Sequence, residues 1–263
     1  MWIVGAWLEL AVWQQLLALA GFYATTALIL HLLTFHSPAS EWVRSFRGVA
    51  APFFVSVAVI FGLLLGFVAG EVWHRNAEAL RVVRGEGDAL FQINLLSPDN
   101  DPGSAALHDL MRAYAQSVVK EEWPLLRLGG RSDGSETALD SLIKGVVAAP
   151  VFGSGGLTVQ RARLDLALKL HTLRETRIEL AGDRTDEIKW ATLLLLGFVV
   201  QLAIAAVHLE VPRPQIAALA IFSIGAVIGL GLVAIQERPF SPHLGVSPAP
   251  LEDVVHEIPA RAS

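Results

Sequence analysis

The sequence predicts an all-α, four-span helical membrane protein with a cytoplasmic helical domain inserted between the second and third spans. Hydrophobic residues make up 53% of the 263-residue chain and charged residues only 17%, whereas soluble domains carry about 25% charged residues. Four apolar segments are each long enough to cross a hydrocarbon core of about 30 Å as a helix. The sequence shows neither β-strand alternation nor an internal repeat.

The four predicted spans pair into two membrane hairpins, and the chain divides accordingly into four regions. These are an N-terminal hairpin at 1–70 with spans at about 10–35 and 48–70, a cytoplasmic helical region at 71–189, a C-terminal hairpin at 190–236 and a tail at 237–263. Pro212 and Pro214 are expected to end the third span, because proline lacks the backbone N–H that a helix interior requires.

The second span is the segment around which the other predicted elements are arranged. Gly48 to Gly70 contains no charged residue, and apolar positions continue at helical spacing to about Leu96. We therefore predict one helix that spans the membrane and projects well beyond it. Gly85 and Gly87 each cost about 1 kcal/mol relative to alanine in a helix, so a kink or a break is expected there.

Helical patterns also fill the cytoplasmic region, where they are separated by segments rich in glycine, proline and serine. Predicted helices run from Ser104 to Glu122, from Ser135 to Ala148 and from Thr158 to Gly182, with turns or loops at Ser97–Gly103, Gly129–Ser135 and Pro150–Gly156. Trp123-Pro124 is expected to interrupt the first of these helices, and Ser135 is a candidate cap for the second.

The third of these helices is predicted to be amphipathic. Leu166 and Leu170 lie on its apolar face, and its other face mixes acidic residues with arginines that include Arg163, Arg174 and Arg177. Because a helix face of mixed charge is most often solvated, we expect these arginines to meet solvent.

Positive charges near the span ends predict the orientation of the chain. With four spans, both termini and residues 71–189 share one side of the membrane, and that side carries most of the arginine and lysine residues near the span ends. The positive-inside rule places this side in the cytoplasm. We therefore expect a multi-pass protein of the cell (inner) membrane with both termini in the cytoplasm.

Several classes of function find no support in the sequence. The chain has no cysteine, which excludes disulfides, thiol nucleophiles and thiolate metal sites. The net charge of −5 argues against a nucleic-acid partner. A glycine-rich segment near Phe152 lacks the lysine and hydroxyl residues of a phosphate-binding loop. No catalytic constellation is found, so we expect neither an enzyme nor a cofactor.

A row of glycines follows one side of the second span. Gly62, Gly66 and Gly70 recur at intervals of four, and the fourth span repeats the pattern with Gly225 and Gly229. Such rows allow another helix to approach closely, within one chain or between subunits. We interpret these glycines as helix-packing positions, and the two rows as candidate partners.

A stripe of large apolar residues lies beside this row. Val59, Leu63 and Phe67 also recur at intervals of four. One interpretation is that they contact lipid or the core of the helix bundle. The other is that they line a hydrophobic constriction in a pore.

His31 is an ionisable residue inside the first span. Ionisable residues within the membrane are functional candidates. A neutral histidine that is hydrogen-bonded to a neighbouring helix, or one that reaches the lipid headgroups, is the simpler interpretation.

Short motifs in three parts of the chain carry a family resemblance. They are LGF at Leu65–Phe67 followed in register by Trp73, Arg75, Glu78 and Ala79, EEWP at Glu121–Pro124, and ERPF at Glu237–Phe240 followed by a segment ending at Asp253. This combination resembles the bestrophin-like domain family, membrane proteins of bacteria and plants. It is similar more distantly to the bestrophin anion channels.

The resemblance implies specific roles for residues of the second helix. Bestrophins are pentameric anion channels whose second helices line the pore with an apolar neck. In this chain the neck would be Val59, Leu63 and Phe67. Trp73, Arg75 and Glu78 follow just beyond the membrane on the cytoplasmic side and are candidates for a vestibule, where Arg75 would raise the local concentration of anions. The acidic cluster that holds calcium in animal bestrophins is missing after Phe240, so no metal site is expected.

Two functions from different classes follow. The first is a homo-oligomeric bestrophin-like channel, a pentamer by resemblance, with the lipid bilayer, other copies of the chain and small anions as its partners. The alternative is a non-conducting membrane scaffold or accessory protein whose cytoplasmic helices bind a partner.

Overall fold

The computed structural model describes residues 2–45, 51–98, 103–150, 156–241 and 245–258. The chain divides into two compact units. Unit 1 is drawn from residues 1–73 and 184–237, and unit 2 from residues 74–183 and 238–263.

The described residues form helices joined by short connections, which agrees with the predicted all-α class. The helices are α1 (Trp2–Leu8), α2 (Val12–Phe35), α3 (Ser40–Ser45), α4 (Ala51–Leu95), α5 (Ser104–Ser117), a π-helical turn (Val118–Glu122), α6 (Trp123–Leu126), α7 (Asp133–Ala148), α8 (Gly156–Gly182), α9 (Glu187–Val207), α10 (Pro212–Ile235) and α11 (Ala249–Glu257).

Four helical stretches of the described chain are long and apolar enough to cross a membrane. They are α2, α4, the stretch that ends with α9, and α10. The predicted role of the prolines is wrong. α9 ends at Val207, before either proline, and Pro212 is the first residue of α10. Proline suits this position because the first turn of a helix has no internal partner for its N–H groups.

The N-terminal segment is a packed part of unit 1. The Trp7 indole donates to the Gln15 carbonyl at 3.1 Å, and the Gln15 amide donates to the Leu8 carbonyl at 2.9 Å. These bonds fold α1 against the start of α2. The Trp7 ring also meets Trp190 of α9 edge to face, with ring centroids 5.3 Å apart. The pair lies in the apolar core of unit 1.

A glutamine links three of the candidate spans. The Gln201 side chain of α9 donates to the Tyr23 carbonyl of α2 and to the Ser223 hydroxyl of α10, both at 2.9 Å. It also accepts a hydrogen bond from the Thr26 hydroxyl at 2.6 Å. Because lipid offers no hydrogen bonds, polar side chains inside a bundle must satisfy one another across helices. Gln201 therefore ties α2, α9 and α10 together.

The long helix α4 is continuous from Ala51 to Leu95, so the break expected at Gly85 and Gly87 does not occur. Both glycines allow close approach of another segment instead. A Cβ atom at Gly87 would lie 2.8 Å from the backbone oxygen of Pro250, and one at Gly85 would lie 3.2 Å from Leu173. Close packing in unit 2 thus explains these glycines, and their cost in helix propensity is offset by contacts.

The core of unit 2 contains the end of α4 and residues of α5, α7, α8 and α11. Leu251 and Val254 of α11 are buried in it. Part of the segment described as a C-terminal tail therefore belongs to the packed interior of unit 2.

Helix ends in unit 2 differ in detail from the predictions. The hydroxyl of Ser132 caps α7 by accepting from the Ser135 backbone N–H at 3.3 Å, so the cap is Ser132 and not Ser135. The N-cap of α5 is Gly103, whose φ of 103° favours glycine. Most residues of the loops expected at 97–103 and 150–156 lie outside the described part of the chain, as does the start of the second span at Gly48.

Candidate functional site

Large apolar side chains cover one side of α4 in unit 1, and the described residues leave them largely exposed. Val59, Leu63 and Phe67 are 53%, 57% and 73% exposed. Their spacing of four residues places them along one stripe of the helix. We call these three residues the neck face. A face of this size and hydrophobicity requires lipid or another protein surface to cover it.

The glycine row beside the neck face is also open. A Cβ atom at Gly62, Gly66 or Gly70 would meet no atom within 4 Å. Packing of this row against another helix of the same chain, one of the two options from the sequence, is therefore wrong for the described residues. A helix of another subunit is the option that remains compatible with the row's expected role.

The glycines of the fourth span behave differently from each other. A Cβ atom at Gly229 would lie 3.1 Å from the Leu65 side chain, whereas one at Gly225 would meet nothing within 4 Å. Gly229 therefore allows α10 to approach α4 at Leu65. Among the described residues, the two glycine rows do not pack against each other.

The opposite side of α4 fixes the direction of the neck face. Phe61, Val68 and Val72 are buried in the unit 1 core. The Phe61 ring packs against Phe222 of α10 with centroids 5.8 Å apart. Because the helix is held on this side, the neck face points away from the bundle.

Trp73, one of the expected vestibule residues, is half exposed on α4 at the edge of unit 1. Close to it, the Lys189 ammonium of α9 lies 2.6 Å from the Glu71 carboxylate. Both side chains of this ion pair are partly exposed, so the pair is screened by solvent and adds little to stability.

Arg75, another expected vestibule residue, lies in the interior of unit 2. It is only 4% exposed, and its Nε atom donates to Asp183 at 3.2 Å. Its spacing from Val72 and Ala79, both buried, places it on the packed side of the helix. The expected vestibule role requires a charge on the exposed side of α4. Arg75 lies on the packed side and does not supply that charge.

Other residues supply the positive charge on the exposed side of this part of α4. The side chain of Arg81 is 63% exposed and lies 2.5 Å from Glu78, the third expected vestibule residue. Arg84 is exposed and makes no ion pair within the described residues. The sequence analysis did not assign either arginine to the vestibule, although their spacing from Ala77 follows the exposed side of the helix.

Four charged side chains form a network in the interior of unit 2. Glu86, Glu122, Arg174 and Arg177 are all fully buried. Arg177 donates to Glu86 at 2.7 Å and to Glu122 at 2.9 Å, and Arg174 donates to Glu122 at 2.6 Å. We call these four residues the buried network. It connects α4, the π-helical turn and α8.

The π-helical turn determines where Glu122 lies. In this turn the Trp123 N–H bonds to the Val118 carbonyl, five residues back, which adds one residue to the helical turn before Pro124. The helix therefore passes through Trp123-Pro124 without the interruption expected there. The resulting position lets Glu122 also accept from the Ser132 backbone N–H at 3.2 Å.

Burial is the largest influence on the ionisation of Glu86 in the network. It raises the pKa of Glu86, because the attraction of Arg177 and Arg174 does not fully offset the loss of hydration. One carboxylate oxygen of Glu86 has no hydrogen-bond partner in the described chain. Burial and the nearby Glu86 carboxylate also raise the pKa of the Tyr114 phenol.

The polar face of α8 was expected to meet solvent, and for three of its arginines this expectation is wrong. Arg163, Arg174 and Arg177 are buried. They alternate with buried Ala167 and Leu170 at intervals of three and four residues. Residues at this spacing lie on one face of a helix. The pattern could therefore have indicated that the three arginines share a face with buried apolar residues.

Two of the motifs that carried the family resemblance meet in unit 2. Trp123 of EEWP packs edge to face against Phe240 of ERPF, with ring centroids 5.4 Å apart. The Arg177 guanidinium lies 5.7 Å from the Trp123 ring centroid on its face. The motif residues are thus in contact with the buried network. Within the described residues, no group of three or more His, Asp or Glu side chains could hold a metal ion.

A family model, the bestrophin-like domain, matches residues 21–251. The chain belongs to the bestrophin-like domain family. No curated protein sequence matches the chain. Together with the four candidate spans, family membership makes it a channel-like membrane protein.

Solved structures of bestrophin homologues have a similar fold. A mutant of a bacterial bestrophin homologue from Klebsiella pneumoniae aligns with a TM-score of 0.69 at 11% identity, over 92% of this chain and 98% of that chain. A second mutant of that homologue aligns with a TM-score of 0.67 at 12% identity, over 92% and 97%. A structure described as a membrane protein aligns with a TM-score of 0.67 at 12% identity, over 92% and 96%. At these identities the similarity shows the fold alone.

Proposed function

We propose that the chain is one subunit of a homo-oligomeric channel, a pentamer, that conducts small anions. The observation that carries this proposal is the exposed neck face on α4. Val59, Leu63 and Phe67 belong to the second span of a chain with the bestrophin-like fold, and no other part of the described chain covers them. Assembly around the second spans would bring this face of each subunit to a common axis.

The neck face would act as a hydrophobic constriction. A ring of valine, leucine and phenylalanine side chains passes ions only when it is wide enough to stay wet. Phe67 would favour anions, because the edge of an aromatic ring carries the positive end of its quadrupole.

Positive charge beyond the neck would come from Arg81 and Arg84. Both are exposed, in contrast to Arg75. Exposed positive charges beside a pore raise the local concentration of anions. Glu78 offsets part of the charge of Arg81, so we assign the larger effect to Arg84.

The proposed orientation places residues 71–189 and both termini in the cytoplasm. The chain has no native cysteine, so single cysteines can be labelled without background. Thr137 in α7 and Ser45 in α3 are exposed positions for this test. Thr137→Cys should react only with reagent on the cytoplasmic side and Ser45→Cys only with reagent outside. The reverse pattern would overturn the orientation.

The function is tested by chloride flux into proteoliposomes, with the oligomer mass measured by native mass spectrometry on the same preparation. We expect a pentamer that conducts chloride above empty liposomes. A monomer would contradict the shared pore. A verified oligomer that passes no ion, both as wild type and after the neck is widened, would favour a membrane scaffold.

A further inference from the structure

A groove of about 530 Å³ lies between α2 and α10 in unit 1, away from the neck face. Ala20, Ala24 and Ala27 form its floor on α2, and its α10 side extends from Ile216 to Ile228. The alanines make the groove, because their short side chains leave room between two helices that carry large apolar residues. Both helices are candidate membrane spans, so the groove opens where the bilayer meets the protein.

The length of the groove matches one leaflet of a bilayer. From Ala20 to His31 the groove follows eleven residue steps of α2, about 16 Å at 1.5 Å per residue. Half of a hydrocarbon core of about 30 Å is about 15 Å. The groove therefore extends from near one end of α2 to just past its middle. A helix from a second copy would cross both leaflets, whereas one lipid acyl chain occupies only this depth.

His31 gives the groove a polar end with a fixed hydrogen-bonding pattern. The Gln215 amide nitrogen donates to the Ala205 carbonyl at 3.1 Å, which turns the Gln215 oxygen toward His31. His31 Nδ1 lies 2.9 Å from that oxygen and must carry the hydrogen, because a carbonyl oxygen only accepts. In the neutral ring, Nε2 is then a hydrogen-bond acceptor. Nε2 makes no hydrogen bond to the described residues.

We propose that this groove binds one acyl chain of a phosphatidylethanolamine from the adjacent leaflet. His31 lies four residues from the end of α2, about 6 Å along the helix, which is the depth of the lipid headgroup region. Its free Nε2 accepts a hydrogen bond from the ammonium group of the lipid. Phosphatidylcholine has the same acyl chains but no N–H donor, so it binds more weakly. The site does not depend on whether the protein conducts ions.

Site-specific fluorescence quenching tests the groove. Bimane is attached to Ala24→Cys inside the groove or to Thr25→Cys, an exposed neighbour at nearly the same depth that does not line it. Phosphatidylethanolamine with brominated acyl chains is then added to phosphatidylcholine liposomes. Quenching at Ala24→Cys should saturate at a mole fraction about tenfold below that needed at Thr25→Cys, which corresponds to about 1.4 kcal/mol. His31→Ala should abolish this difference.

Three results would overturn the proposal. If quenching at Ala24→Cys and at Thr25→Cys depends on the lipid mole fraction in the same way, the groove is an ordinary lipid-exposed surface. If no brominated lipid quenches bimane at Ala24→Cys, or if two Ala24→Cys chains form a disulfide, a second copy covers the groove. Saturation that persists in His31→Ala would exclude recognition of the headgroup. A separate check uses native mass spectrometry, in which His31→Ala should lose a bound phosphatidylethanolamine that the wild type retains.

Discussion

Glu122 and Arg174 form a bidentate ion pair in the interior of unit 2. The Nε atom of Arg174 lies 3.2 Å from both carboxylate oxygens of Glu122, and its Nη2 atom lies 2.6 Å from one of them. Ion pairs in which two N–H groups of one planar guanidinium group donate to the same carboxylate are among the strong hydrogen-bonded pairs in proteins. The same carboxylate also accepts from Arg177, so one acidic residue compensates part of the charge of two buried arginines.

The first prediction is that Glu122→Gln destabilises unit 2 by about 3–5 kcal/mol, the cost of leaving buried charges without a partner. A glutamine amide would direct its own N–H donors at the arginine donors. Glu179→Gln is the matched control, because Glu179 is exposed on α8 and its substitution should change stability by less than about 0.5 kcal/mol. Chemical unfolding in detergent, followed by tryptophan fluorescence, measures both. Equal unfolding of the two variants would show that the network contributes no net stability.

The second prediction concerns the pH dependence that Glu86 creates. Because burial raises the pKa of Glu86, the folded protein binds this proton more tightly than the unfolded chain. The resulting stability is fully present below the unfolded pKa of about 4.3 and is lost as the pH rises through the higher folded pKa. Glu86→Gln cannot lose a proton. Its melting temperature relative to wild type should therefore increase as the pH rises above about 4.

Melting curves in detergent between about pH 4 and pH 8 measure this difference. Asp88→Asn, which replaces an exposed carboxylate on the same helix, is measured alongside as the matched control. Parallel curves for wild type and Glu86→Gln would mean that Glu86 titrates alike in the folded and unfolded states.

Sequence patterns predicted the membrane helices because each span must satisfy one simple requirement, an apolar segment of sufficient length. The same approach missed the buried network. The sequence analysis placed Arg174 and Arg177 on a solvated face because it considered each charge without its partner. Their partners, Glu86 and Glu122, lie 91 and 52 residues away along the chain, and nothing in the local pattern pairs them.

At the candidate site, helical spacing predicted which residues share one side of α4, whereas motif position did not predict where Arg75 lies. The structure agrees that Val59, Leu63 and Phe67 share one side of α4, because helical spacing decides which residues lie together. Arg75 was assigned by its place in a motif instead of by its spacing. Its neighbours Val72 and Ala79 place it in the interior, where it meets Asp183.

The third prediction is that Gly66→Leu disrupts the oligomer and leaves the folded subunit intact. No atom of the described residues lies within 4 Å of a Cβ atom at Gly66. Leucine should therefore not strain the subunit, and it should improve helix propensity by about 1 kcal/mol. At a contact between subunits, however, overpacking costs about 1–3 kcal/mol for each copy. Native mass spectrometry should show less oligomer, while helix content remains unchanged.

Gly21→Leu is the control for this experiment. Gly21 lies on α2, and a Cβ atom there would also meet nothing within 4 Å. It should leave the oligomer unchanged. If Gly66→Leu does the same, the glycine row faces lipid and the proposed assembly around the second span loses its support.

The last prediction is that a wider neck conducts more. In Leu63→Ala combined with Phe67→Ala, smaller side chains on the exposed face should let water remain in the constriction and raise chloride flux in proteoliposomes. Leu195→Ala combined with Ile221→Ala is the matched control, because both residues are large, apolar and exposed on other spans. If only the first pair raises the flux, the neck face lines the pore. If both pairs raise it equally, the added leak comes from a loosened bundle and the neck face is lipid-facing.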